Sequence, residues 1–180
     1  KDPYALDQTQ FQAAMDLLTQ QKELVGEYWS DYTKAIDSFK SGSTALGTSW
    51  EVILNLAQAD GAKVAATKAK EGATGWSDTW RVAKDSPNIN CAYKWLDWIA
   101  SPEANAQVAE WFGEAPANAK SCEMTADKDH CATYHAGDTS YWTDVYYWNT
   151  PTAQCLDGRT DTQCVPYSEW VTAWSALRSS

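Results

Sequence analysis

The chain has 180 residues and 14 Lys+Arg against 24 Asp+Glu, a formal net charge of −10. That balance excludes a general nucleic-acid binder, which needs clustered Lys and Arg for phosphates. Apolar residues make up 44%, enough for a folded domain, and no apolar run is long enough to span a membrane. In chain order, Phe11, Ala14, Met15 and Leu18 fall at helical spacing and predict a first helix. Tyr28, Tyr32, Ile36 and Phe39 predict a second, with Ser30 as its cap and Gly42 after its end. Thr44–Trp50 reads as a strand, Glu51–Asp60 as a helix closed by Gly61, and Lys63–Thr67 as a second strand. Residues 68–75 read as a loop. Residues 76–83 read as a strand, which would set Trp76, Asp78, Trp80 and Val82 on one face.

A helix follows from Asn90, with Ala92, Trp95, Leu96 and Ile99 inward. Ser101-Pro102-Glu103 opens the next, with Ser as cap and Pro at the first helical position. Val108, Trp111 and Phe112 are its expected buried side, and Gly113 its stop. Residues 114–141 read as irregular, 141–148 as an aromatic cluster, and Tyr167–Leu177 as a last helix with Trp170, Val171, Trp174 and Leu177 inward. Helices interleaved with short strands give an α/β class.

Five cysteines are present, and Cys122/Cys131 and Cys155/Cys164 each enclose eight residues in polar segments. The spacing fits no zinc motif, so two local disulfides and an oxidising compartment are expected, with five reduced thiols in a cytosolic protein as the alternative. Cys91 is left over: free, paired with Cys122 or Cys131 instead, or paired beyond these residues.

Eleven Trp, nine Tyr and three Phe exceed what a small core needs. Trp76 and Asp78 combine an indole face with a carboxylate, which suits an organic cation through cation–π attraction and charge-assisted hydrogen bonds. A core Trp beside a backbone-capping Asp fits the same spacing. Trp50 ends an expected strand, where ligands gather in open α/β sheets, though a core Trp also fits. His130, His135, Asp127, Asp129 and Asp138 read as a solvated loop rather than a metal cluster. No nucleophile elbow, P-loop or dinucleotide fingerprint is present, so neither catalytic residues nor a cofactor are expected.

Leu46-Gly47-Thr48-Ser49-Trp50, the segment Lys70-Glu71-Gly72-Ala73-Thr74-Gly75-Trp76-Ser77-Asp78, and the helix after Ser101-Pro102-Glu103 closely resemble the extracellular solute-binding proteins of ABC importers. The spermidine/putrescine-binding branch is the nearest. The resemblance implies a periplasmic-binding-protein-like fold of type II, here a partial two-lobed chain with a crossover strand. Residues 1–75 would end the second lobe, and residues 76–180 would supply the crossover strand and the C-terminal part of the first.

It also implies a ligand closed between Trp50 and Trp76, with Asp78 on an ammonium group. Glu114 stands where some relatives carry an aromatic, and Asn149 is the polar residue that would reach the cleft. The implied partners are a small solute and an ABC permease. The implied place is extracellular or periplasmic, with an anchor in a preceding segment and self-association covering apolar surface. Rival readings are a Trp-rich carbohydrate-binding protein, a receptor for another solute, a secreted hydrolase, and a half-receptor that binds nothing alone.

Overall fold

A computed structural model describes residues 2–179, which fall into two compact units. The first unit gathers the described residues up to Tyr28, the segment Lys70–Trp76 and the residues from Asp144 onward. The second holds Trp29–Ala69 and Ser77–Thr143. Helices dominate and a short parallel sheet accompanies them, a mixed architecture compatible with an α/β binding-protein fold.

In the first unit, α1 (Gln8–Lys22) starts at a capping box. The Asp7 carboxylate accepts from the Gln10 amide at 2.9 Å, and the Gln10 side chain accepts from the Asp7 amide at 3.1 Å. Phe11 is the buried residue of this helix, and its ring meets Trp170 of α7 (Tyr167–Ser179) at 5.5 Å. Tyr28 packs edge-on against Trp174 at 5.1 Å. Of the four residues expected inward on α7, Leu177 is buried and Trp170 half-buried, whereas Val171 and Trp174 are exposed.

Ala5, Cys155 and Cys164 form a small buried cluster. The Arg159 guanidinium ties that region together, donating to Asp157, Asp7 and the Ala5 carbonyl. Strands β1 (Ala73–Gly75) and β2 (Val145–Tyr147) pair in parallel, with Gly75 opposite Tyr147. The end of the expected loop 68–75 is therefore a strand.

In the second unit, α2 (Tyr32–Ser41) is capped by Asp31, whose carboxylate accepts from the Thr33 amide; Ser30 is not the cap. Gly42 closes α2 in the left-handed conformation, with φ 74°. Helix α3 (Glu51–Ala59) buries Ile53 and Ala57. Helix α4 (Ile89–Ile99) and helix α5 (Pro102–Phe112) follow, and Ser101 caps α5 by accepting from the Ala104 amide.

The packed side of α5 is Ala104, Ala106 and Ala109. Trp111 and Phe112, expected to be buried, are 81% and 53% exposed, with Val108 half-buried. Small residues let α5 pack closely on the 3₁₀ turn Ala119–Glu123, whose Ser121 hydroxyl donates to the Pro102 carbonyl at 2.9 Å. A short α6 (His130–Thr133) completes the unit.

The expected strands 44–50, 63–67 and 76–83 do not form among the described residues. Alternation specifies a strand only where a partner supplies ladder bonds. Here the aromatic residues find ring partners instead, Trp29 for Trp50 and Trp95 for Trp80. No common face for Trp76, Asp78, Trp80 and Val82 therefore arises from strand geometry.

Cys122 and Cys131 are bonded at 2.03 Å, and Cys155 and Cys164 at 2.02 Å. Closing loops this short stabilises by roughly 2–3 kcal/mol each through the unfolded chain's lost entropy. Cys91 carries a free, exposed thiol. Among the described residues no helix is long and apolar enough to cross a membrane.

Candidate functional site

The second unit brings Glu114 to the start of α3 through a single glycine. Gly113 ends α5 with φ 75°, and a Cβ built there would lie 2.6 Å from Val52 Cγ2 and 2.9 Å from the Tyr134 hydroxyl. Only glycine meets both demands. The Glu114 amide then donates back to the Ala109 carbonyl at 3.0 Å. Its carbonyl lies 2.9 Å from His130 Nε2, so that nitrogen carries the proton and donates. His130 is buried, in contrast to the solvated loop expected for it. Its ring lies 4.6 Å from Tyr134, whose hydroxyl accepts from the Asn55 side chain at 2.9 Å.

This scaffold leaves the Glu114 side chain half-buried. Burial pushes its carboxyl above the ordinary glutamate range, and the negative charge of Asp78 pushes it further. Asp78 itself is exposed, on the irregular segment that replaces the expected strand. Among the described residues neither carboxylate is in an ion pair. The structure thus links the two carboxylates electrostatically, within one unit.

Trp50 immediately precedes α3 and packs edge-on against Trp29 at 5.7 Å. The next residue, Glu51, sits in the first turn of α3, where the helix N-terminus favours an anion. Burial nonetheless pushes its carboxyl up, partly offset by the charge of His135. The His135 ring stacks on Tyr141 at 3.6 Å, and its carbonyl accepts from Trp142 Nε1 at 2.8 Å. Glu51 escaped the reading of the sequence because its setting depends on His135 and Tyr141, far along the chain.

Two of the remaining loop acids, Asp127 and Asp138, are engaged locally. Asp127 accepts from the Asp129 amide, and Asp138 from Ser140 and Tyr141. Among the described residues no group of three or more His, Cys, Asp or Glu is placed to hold a metal ion.

The first unit holds Trp76 and Asn149. Trp76 directly follows β1 and stacks on Trp148, which directly follows β2, at 5.1 Å and 25° between planes. The Asn149 side chain accepts from the Thr150 amide at 2.9 Å, which turns its oxygen toward its own chain.

Residues 2–133 match the family of bacterial extracellular solute-binding proteins. The chain belongs to that family. Its class is the substrate-binding component of an ABC transporter, with a small-molecule ligand and a permease as the general partners. The family is one of solute binders rather than enzymes, and its place is outside the cytoplasm. Trp50, Trp76, Asp78 and Glu114 lie inside the matched residues; Trp148, Asn149 and the Cys155–Cys164 disulfide lie outside them.

Proposed function

We propose that this protein captures a small organic cation of the polyamine class, spermidine or putrescine, and delivers it to an ABC permease. The observation that supports this most is the pairing of Asp78 with half-buried Glu114, whose carboxyl carries an electrostatic penalty that a bound cation would relieve. A half-buried carboxylate without an ion pair is costly to ionise, the more so beside another acid, unless something positive joins it. An ammonium group supplies that charge and three hydrogen-bond donors. Trp50 and Trp76 would offer indole faces to the ligand's methylenes, and Asn149 a further polar group. The reading extends to a type II, two-lobed receptor held at the membrane surface, with its second lobe ending at residue 75 and residues 76–180 returning to the first. Exposed indoles favour a neutral sugar as the rival ligand, because Trp80, Trp95 and Trp98 are all about half exposed.

The charge makes the two readings separable by pH. A raised carboxyl holds its proton in the free protein above the range where an unfolded glutamate would lose it. Its stabilising contribution is therefore complete below about pH 4.3 and is lost as pH rises through the folded value. A bound cation reverses that preference by favouring the ionised form. Spermidine affinity should therefore rise as pH climbs from about 4.5 toward 7, with protons released on binding. Calorimetry in buffers of different ionisation enthalpy measures that release, and Glu114→Gln should flatten the profile. An equally flat profile in the unaltered protein would remove Glu114 from the site, and binding of a neutral disaccharide in place of the amine would favour the sugar reading.

A further inference from the structure

Among the described residues, Ser121, Thr125 and His130 are the buried polar side chains, and all three sit around the Cys122–Cys131 disulfide. Each finds a backbone carbonyl, as a buried donor must. Ser121 donates to Pro102 of α5 at 2.9 Å and Thr125 to Cys122 at 3.1 Å, bonds that secure the 3₁₀ turn. His130 instead reaches away from that turn to the Glu114 carbonyl, 2.9 Å from its Nε2. The helix that carries it, α6, has four residues, too few to hold itself. Its place comes from the bond between the next residue, Cys131, and Cys122 of the 3₁₀ turn. A closed circuit results: α5 runs through Gly113 to Glu114, His130 holds Glu114, and the disulfide ties His130 back to the turn packed on α5. Both backbone polar atoms of Glu114 are thereby engaged, the amide with Ala109 and the carbonyl with His130.

We propose that His130 is a positioning residue for ligand binding: by fixing the Glu114 backbone it aims the carboxyl at the place where an ammonium group docks. This rests on the reading of Glu114 as a ligand-contacting residue. With its backbone fixed, Glu114 has only side-chain torsions left to order when a cation arrives, and less ordering means tighter binding. An imidazole suits the task because one ring nitrogen can donate while the ring bears no charge. A lysine or arginine donor in its place would neutralise the carboxyl that the ligand needs. Two other acids bear on the assembly. Asp78 acts on Glu114, and Glu110 of α5 is held below its usual range chiefly by the Asp127 amide and in smaller part by His130.

Carbon NMR of the Glu114 carboxyl, assigned as the signal missing from Glu114→Gln, reads the effect at the group itself. Nitrogen NMR of the unaltered protein should show His130 protonated at Nε2. His130→Leu, which removes the donor, should bind spermidine about three- to tenfold more weakly and let the Glu114 carboxyl titrate nearer the ordinary value of about 4.3. His130→Gln, which keeps an N–H of similar reach, should stay within about twofold of the unaltered affinity and leave the Glu114 titration in place. Unchanged spermidine affinity, or an unchanged Glu114 titration, in a folded His130→Leu would overturn the positioning role and leave the polyamine reading standing. So would a His130 protonated at Nδ1 instead, an observation that needs no variant and holds even if His130→Leu does not fold. If the unaltered protein binds neither spermidine nor putrescine, the polyamine reading fails and the ligand role of His130 fails with it.

Discussion

Asp78→Asn should weaken spermidine binding by more than about tenfold on the proposed reading, since a charge-assisted hydrogen bond contributes roughly 1.5–3 kcal/mol and tenfold corresponds to about 1.4. The substitution keeps the shape of the side chain and an accepting oxygen. It removes the charge that, in the proposed site, would neutralise one ammonium group. The loss is bounded by Glu114, because Asp78 is one of the two causes holding the Glu114 carboxyl above its usual range. Without Asp78, the Glu114 carboxyl moves back toward the ordinary value, although its burial, the larger cause, persists. The variant therefore keeps one carboxylate better ionised than before, and some affinity with it. Titration calorimetry of the two proteins side by side measures the difference. Equal affinities would take Asp78 out of the site.

Gly72→Ala is the most damaging small substitution expected in the first unit. Gly72 has φ 102°, a conformation that side chains with a Cβ rarely adopt. A Cβ there would lie 2.2 Å from the Asp144 carbonyl oxygen and 3.0 Å from Tyr146 Cε2. The first obstacle is backbone, so it moves only if the chain moves. That same carbonyl accepts from the Ala73 amide at 3.0 Å, the bond that leads into the β1–β2 pairing. Strain at a positive φ costs about 1–2 kcal/mol and a forced backbone shift about 1–3 more, for a total loss of stability of roughly 2–5 kcal/mol. Urea unfolding followed by far-ultraviolet circular dichroism measures it. A midpoint equal to that of the unaltered protein would show that the chain passes Asp144 more loosely than the structure has it.

Gly72 also shows what the sequence can and cannot convey. Lys70-Glu71-Gly72 was legible as a motif shared with solute-binding proteins, and the family match includes it. The reason for the glycine was not legible, because Asp144 lies in a segment far along the chain. The same contrast runs through the fold. Helices α1, α3, α4, α5 and α7 follow from local spacing and caps, since every backbone bond they need lies within a few residues. Strands depend on a distant partner. Residues 44–50 and 76–83 alternate in sequence yet form no strand among the described residues, while the three-residue β1 finds a partner beginning at Val145.

Hydrophobicity misled on α5 for a related reason. Trp111 and Phe112 looked like its core, but close packing on the Ala119–Glu123 turn selects the alanine side. At the candidate site, the carboxylate at 114 was visible as a departure from an aromatic position in the resembling proteins. Its burial, and the His130 ring that fixes its backbone, required the turn at Gly113. Trp148 lay in a recognised aromatic cluster, but its partner could be identified only once the parallel register was known. Asn149 is the least favoured of the expected site residues, because its oxygen already accepts from Thr150. Two local disulfides were expected from the short spacing of Cys122/Cys131 and Cys155/Cys164, and the structure has both pairs; that Cys91 takes neither Cys122 nor Cys131 was not legible, since spacing does not fix connectivity.

The central claim is that the ligand is a small organic cation bound through carboxylates. The most direct measurement is a calorimetric titration of spermidine, putrescine and a neutral disaccharide into the purified protein near pH 7. The account predicts micromolar or tighter binding of at least one amine, weakened by added salt, and no heat from the sugar. Saturable heat from the disaccharide with none from either amine, in a protein shown to be folded by its circular dichroism, would contradict it.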